Sequence, residues 1–281
     1  NVTLTVRKDL QELARDQLGD RQGAVVMLDP RTGAILALYS NPSYNPQLLN
    51  ATGTQAQIDE AQAAWNALNA APGKPMVSKA FRENYNPGST FKAVVAGVGL
   101  QTGKVSESQP SYPVEASLQP RGMVTPIRNF GGSSCGGALP QIMTVSCNTA
   151  FMHMGLDIGG GALVEGAGAF GWNQAPPIDL PNAAQSVLPD RIAKEQAETA
   201  LSSIGQQFNR ATPLQMALVA AAASNNGTVM TPHVMKDVRN SDATVVQTYD
   251  PKPWLQAMSP QNAQVLQRVL YGPVNNPGGS A

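Results

Sequence analysis

The chain predicts a mixed α/β domain, and three observations predict it. Residues 24–28 (Ala-Val-Val-Met-Leu) and 34–40 are apolar runs on either side of Asp29-Pro30-Arg31-Thr32-Gly33, whose turn chemistry makes them a β-hairpin. Residues 91–100 are apolar almost all round and include Gly97 and Gly99, the composition of a helix buried inside a domain. Residues 213–225 have proline in the first turn, then Leu214, Met216, Ala217, Val219 and Ala220, and stop at Asn226-Gly227. At 281 residues, 42% hydrophobic and 14% charged, the chain has ample material for a buried core. No internal repeat or clear linker divides it, so it is read as one domain over 1–281.

The remaining elements follow in order. Leu10, Leu13, Ala14 and Leu18 recur at helical spacing across 8–18, an amphipathic helix. Residues 41–73 are polar, with a short helix at 57–68. Residues 103–137 read as irregular because prolines and glycines interrupt them. A helical pattern resumes over 139–157 through Ile142, Val145, Phe151, Met154 and Leu156. A second short helix covers 160–170, and 176–190 is a loop. Strands at 231–238 and 244–249 and a helix at 260–270 complete the series.

Composition removes several function classes. The formal net charge is zero, so nothing points to nucleic acid or to an acidic membrane surface. No apolar run approaches the length that spans a bilayer, and no basic-then-apolar leader opens the chain, which starts at Asn1 like a fragment. Two histidines (His153, His233) without clustered carboxylates argue against a metal site, and no cofactor is expected. Of the two cysteines, Cys147 is read as a small residue in a buried helix. Pairing with Cys135 stays open for an exported protein.

The chemistry centres on Ser89-Thr90-Phe91-Lys92, which follows Asn86-Pro87-Gly88. A Ser hydroxyl becomes a good nucleophile when a base takes its proton, and a Lys three residues on lies on the same helical face. Chance alone supplies about half a Ser-x-x-Lys match in such a chain, so the motif needs its context. The context is a turn that forces a helix start, followed by a helix too apolar to have a wet face. A Lys carried into that environment has a lowered pKa and is available as a neutral amine. The plainer alternative is a capped core helix. A second element is Ser146-Cys147-Asn148. Ser-x-Asn also occurs at Ser43 and Ser224, but only the copy at Ser146 lies in an apolar helix-forming region.

With both elements in place, the chain resembles the transpeptidase domain of class B penicillin-binding proteins, whose motif set is Ser-x-x-Lys, Ser-Asp-Asn and Lys-Thr-Gly, with Cys147 here in place of the Asp. Tyr85-Asn86-Pro87-Gly88-Ser89-Thr90-Phe91-Lys92 and Ser146-Cys147-Asn148-Thr149-Ala150-Phe151 carry the likeness. Ser203-Ile204-Gly205-Gln206, Ala211-Thr212-Pro213-Leu214-Gln215 and Asn129-Phe130-Gly131-Gly132 add to it, the last in the manner of actinobacterial members. The resemblance implies a β-lactamase/transpeptidase-like fold: an antiparallel central sheet flanked by helices, plus an all-helical subdomain. It implies that Ser89 attacks the D-Ala-D-Ala carbonyl of a peptidoglycan stem peptide, that Lys92 accepts its proton, that Ser146 relays a proton to the leaving group, and that Asn148 holds the substrate backbone. β-Lactam antibiotics would acylate Ser89. A divisome or elongation glycosyltransferase partner and a membrane-anchored, extracytoplasmic parent are further implications.

One departure qualifies this. No Lys-Thr-Gly or Lys-Ser-Gly occurs, and Arg31-Thr32-Gly33 sits in the hairpin turn. The expectation is therefore a domain lacking its C-terminal strands, with an unpaired edge on the hairpin and impaired activity. Labelled penicillin should mark the complete domain well and this chain feebly. Two rivals remain: a serine β-lactamase or β-lactam sensor of the same fold, separable by sustained nitrocefin turnover, and a non-catalytic divisome scaffold. No Glu sits where a deacylating base would be obvious, and a scaffold would have little reason to keep Ser89, Lys92, Ser146 and Asn148.

Overall fold

A computed structural model describes residues 1–51 and 53–280. Strand β1 (Val2–Leu4) and helix α1 (Lys8–Leu18) lead into the expected hairpin, β2 (Gly23–Leu28) and β3 (Ile35–Asn41). The hairpin is antiparallel, with Val25 opposite Tyr39 and Val26 opposite Leu38. Its turn is closed by Asp29, whose carboxylate accepts the Arg31 N–H at 2.9 Å and whose carbonyl accepts the Gly33 N–H at 2.8 Å. Helix α1 packs on β3 through the buried Ala14. Helix α2 (Gln55–Ala70) exceeds the predicted 57–68 because Thr54 and Gln57 form a capping box that sets its start.

A 3-10 turn at Gly88–Phe91 feeds α3 (Lys92–Gln101), the buried helix foreseen at 91–100. Residues 103–137 are more ordered than the sequence suggests. They hold β4 (Tyr112–Glu115), β5 (Ser117–Leu118), β6 (Ile127–Arg128) and β7 (Cys135–Gly137), paired β4 with β7 and β5 with β6. Strands this short carry no periodicity, so the glycines and prolines between them dominate the pattern.

The single helix expected over 139–157 is two, α4 (Leu139–Thr144) and α5 (Asn148–Ile158). Ser146 breaks it: its φ of 54° lies in the left-handed region that a non-glycine residue seldom adopts. Helix α6 (Gly160–Ala169) then crosses α3 closely. A Cβ at Gly166 would stand 2.5 Å from Val98 Cγ2, so only glycine allows the approach.

Helix α7 (Gln196–Ser203) has no apolar stripe to announce it. Helix α8 (Pro213–Ser224) matches its signals, with Thr212 capping the Gln215 N–H. Strand β8 (Thr228–Met230) precedes the strand expected at 231–238, which Pro232 shortens to β9 (Met235–Arg239). Strands β10 (Val245–Thr248) and β11 (Pro253–Gln256) and helix α9 (Pro260–Asn275) follow.

Besides the β4-β7 and β5-β6 ladders, the antiparallel sheets are β1-β9-β10, β8-β11 and the β2-β3 hairpin. The Ile35 N–H donates to the His233 carbonyl at 2.9 Å, tying the hairpin to the segment before β9. Around α3 lie α5, α6 and α9, and the core runs through Val94, Val95, Phe151, Leu163 and Leu266. This is the mixed α/β fold expected, antiparallel strands flanked by helices, with α1 against β3 and α8 against β2 and a helical body around α3. Among the described residues, β2 pairs only with β3.

The reading of Cys147 as an unpaired small core residue is corrected. Cys147 is buried, but it caps α5 and forms a disulfide with Cys135 of β7. Their Cα atoms stand 5.8 Å apart, within the span a bridge requires. The break at Ser146 is what turns Cys147 toward β7.

Candidate active site

Ser89 sits in the first turn of the 3-10 segment, exposed to solvent. Helical geometry supplies no partner for N–H groups there, so the Ser89 N–H is free to meet a ligand oxygen. The turn is pinned from the far side. Gly205 (φ 71°) accepts the Gly88 N–H at 2.9 Å, and a Cβ on Gly205 would lie 2.0 Å from the Gly88 carbonyl oxygen. Asn86 Nδ2 donates to the Asn209 carbonyl at 3.1 Å, and Tyr85 pairs with Ala211 in both directions. Beneath it, Phe91 meets Trp172 edge-on at 5.2 Å.

Lys92 is one helical turn further, 1% exposed. Its Nζ lies 3.2 Å from Ser89 Oγ, as the motif spacing requires. Burial lowers its pKa from the ordinary lysine range to about 7. The face of Phe151, 5.5 Å away, favours the charged form, so the amine is poised between both states.

Ser146 and Asn148 reach the same nitrogen. Nζ is 2.7 Å from the Ser146 carbonyl oxygen, 2.9 Å from Ser146 Oγ and 2.7 Å from Asn148 Oδ1. The left-handed backbone at Ser146 explains how one residue presents both its carbonyl and its hydroxyl. That residue was expected within a helix and lies instead in the break between α4 and α5. Two of the four neighbours, the Ser146 carbonyl and Asn148 Oδ1, can only accept. A neutral amine gives them its two hydrogens and turns its lone pair toward the two hydroxyls, and a base needs that arrangement.

All four residues singled out from the sequence are thus brought together. The other Ser-x-Asn copies are not part of the cluster; Ser224 spends its hydroxyl on the Ala220 and Ala221 carbonyls.

Three residues carry the site without having been assigned a place in it. Asn148 Nδ2 donates to the Arg128 carbonyl at 3.1 Å, which fixes the amide so that Oδ1 faces Lys92. Asn129, 5% exposed, donates to the Glu115 and Ser133 carbonyls at 2.8 and 3.1 Å and accepts the Thr149 N–H at 3.0 Å. Gly205 is the third. Gly205 and Asn129 fall in segments that carried the family likeness, but only the contacts say why a glycine and an asparagine are needed.

Ser89, Ser146 and Asn148 open on a cleft of about 880 Å³, bounded by Arg128 and Phe130 on one side and by Leu270 and Pro273 on the other. Among the described residues no group of three or more His, Cys, Asp or Glu is placed to hold a metal.

Residues 23–281 match the family described as penicillin binding protein transpeptidase domain. The chain belongs to this family. It is 36% identical over 279 residues to the peptidoglycan D,D-transpeptidase PbpA of Mycolicibacterium smegmatis, covering 96% of this chain and 55% of that protein. Penicillin-binding protein A from M. tuberculosis, solved as a penicillin G acyl-enzyme complex, superposes with a TM-score of 0.89 at 31% identity, covering 97% of this chain and 63% of that one. The D,D-transpeptidase domain of an Eggerthella lenta peptidoglycan glycosyltransferase gives 0.86 at 30% identity, covering 99% and 67%. The chain spans about half the length of the curated relatives it matches.

Within this transpeptidase family frame, the cluster of Ser89, Lys92, Ser146 and Asn148 borders an open cleft, with the Ser89 hydroxyl exposed to it.

Proposed function

We propose that the protein is a serine D,D-transpeptidase that cross-links peptidoglycan stem peptides and is acylated by β-lactams. The observation that carries this is the buried Lys92 amine, with a pKa lowered to about 7, held 3.2 Å from an exposed Ser89 hydroxyl. Ser89 Oγ attacks the carbonyl between the two D-Ala residues while Lys92 Nζ takes its proton. The Ser89 N–H stabilises the charge that develops on the carbonyl oxygen. As the C–N bond breaks, the proton passes from Lys92 through Ser146 Oγ, 2.9 Å away, to the departing D-Ala amine. Asn148 Nδ2, which keeps one hydrogen free beside its bond to the Arg128 carbonyl, orients the peptide. An amine of a second stem peptide then attacks the Ser89 ester, forming the cross-link and returning the proton to Ser89.

A second oxyanion donor is proposed to come from outside the 281 residues, which contain no Lys-Thr-Gly or Lys-Ser-Gly. The β2 edge, unpaired among the described residues, is consistent with further strands. Reading the gene past Ala281 tests this: a nearby Lys-[Ser/Thr]-Gly supports it, and a stop codon opposes it. Action outside the cytoplasmic membrane beside a glycosyltransferase is proposed on the substrate's chemistry; no helix among the described residues is long and apolar enough to cross a membrane.

The activity itself is tested with a synthetic pentapeptide ending in D-Ala-D-Ala and an amine acceptor. The full-length protein should release one D-Ala per cross-link formed, and Ser89→Ala should release none. Release that persists in Ser89→Ala would refute the assignment.

A further inference from the structure

The wall of the cleft beside Asn148 has a chemistry that the acyl-transfer steps leave unused. Along 128–130 the chain alternates: Asn129 points inward and is fixed by three hydrogen bonds, while Arg128 and Phe130 point outward into the cleft. Arg128 is paired with Ser117 in the β5–β6 ladder, and its carbonyl is held by Asn148. Its backbone is therefore set from two sides. Its guanidinium has no carboxylate and no hydrogen-bond acceptor among the described residues, unlike the paired arginines at 7, 15, 31, 191, 239 and 268; Arg82 and Arg121 are also unpaired but do not line the cleft.

Arg128 is also the one charged side chain among the described lining of the cleft. Lys92 does not compete for an anion, since its nitrogen is buried and surrounded by Ser89, Ser146 and Asn148. Phe130 is 93% exposed, an apolar ring with nothing packed on it. An unpaired guanidinium offers a planar fork of donors that matches a carboxylate, and a free ring beside it can cover an aliphatic stem.

We propose that Arg128 and Phe130 form a rim subsite for a free carboxylate carried by the acyl-donor peptide, upstream of the bond that Ser89 attacks. This rests on the acyl-transfer reading of Ser89. The ligand class is an acidic peptide whose carboxylate is not the one released with the leaving D-Ala.

The test uses two penicillins that differ by one group, benzylpenicillin and its α-carboxy derivative, with the full-length protein. The readout is the ratio of their acylation rates, the carboxy form over the plain one, in wild type and in Arg128→Lys, Arg128→Gln and Arg128→Glu. The ratio should fall about fivefold in Arg128→Gln, less in Arg128→Lys and further in Arg128→Glu, the range for a partly exposed charge-assisted contact. In 0.5 M salt the wild-type ratio should move toward that of Arg128→Gln. Thermal melting reports whether each variant is folded, and the lysine variant guards against a purely steric effect. A ratio that ignores the charge at position 128 overturns the subsite while leaving Ser89 standing. Failure of wild type to be acylated by either penicillin overturns the Ser89 reading, and the subsite with it.

Discussion

At Lys92 two demands oppose each other. A general base must be neutral near neutral pH, whereas an amine ringed by four oxygen neighbours and an aromatic face is held well as an ammonium. Burial decides the balance and brings the pKa down to about 7. Acylation of Ser89 should therefore rise with pH and level off above a midpoint near 7, measured as the penicillin acylation rate between pH 5 and 9. Lys92→Ala should lower that rate by about 10²- to 10⁴-fold and remove the limb. The same shift has a sign for stability. Between about pH 7 and the ordinary lysine value the unfolded chain binds the proton and the folded one does not, so Lys92 makes folding more favourable as pH rises through that window. Below pH 7 both states are protonated and the burial cost is carried in full. The need for a neutral Lys92 was legible in the sequence, from a lysine opening an apolar helix. The Ser146 carbonyl as its partner was not, because a left-handed serine leaves no mark in a helical pattern.

Among the elements, the turn carrying Ser89 and the break carrying Ser146 are each held by a distant segment. Gly205 braces the first by backbone contact with Gly88. Gly205→Ala adds a Cβ 2.0 Å from a carbonyl oxygen at a φ of 71°, and should cost about 3 kcal/mol in denaturant melts while slowing acylation. The disulfide from β7 to the cap of α5 braces the second. Replacing Cys135 and Cys147 with serine should lower stability by about 3 kcal/mol, read from chemical denaturation, because the bridge closes a short loop in the unfolded chain. Full stability in that double variant would show that Asn129 holds the segment unaided. The long elements were legible: the hairpin and α3 have unbroken apolar patterns, and α8 adds a clear Thr212 cap. The ladders β4–β7 and β5–β6 were hidden because two to four residues show no period, and α7 because its residues present no apolar stripe.

Across the whole molecule, the fold separates support from chemistry. The sheets and the helical body around α3 fix three short segments, the turn at Ser89, the break at Ser146 and the end of β6 at Arg128, at the mouth of one cleft. The sequence motifs named two of those segments outright, since nucleophile and base need fixed spacing. The third, at Arg128 and Asn129, works through a backbone carbonyl and a buried amide, and residue type alone does not reveal it.

The central claim is that Ser89 is the acylated nucleophile, and intact-mass spectrometry with peptide mapping after exposure of the full-length protein to penicillin G tests it most directly. The account predicts a single adduct of the mass of the drug, confined to the peptide containing Ser89 and absent from Ser89→Ala. An adduct on another residue, or one that survives in Ser89→Ala, would contradict it.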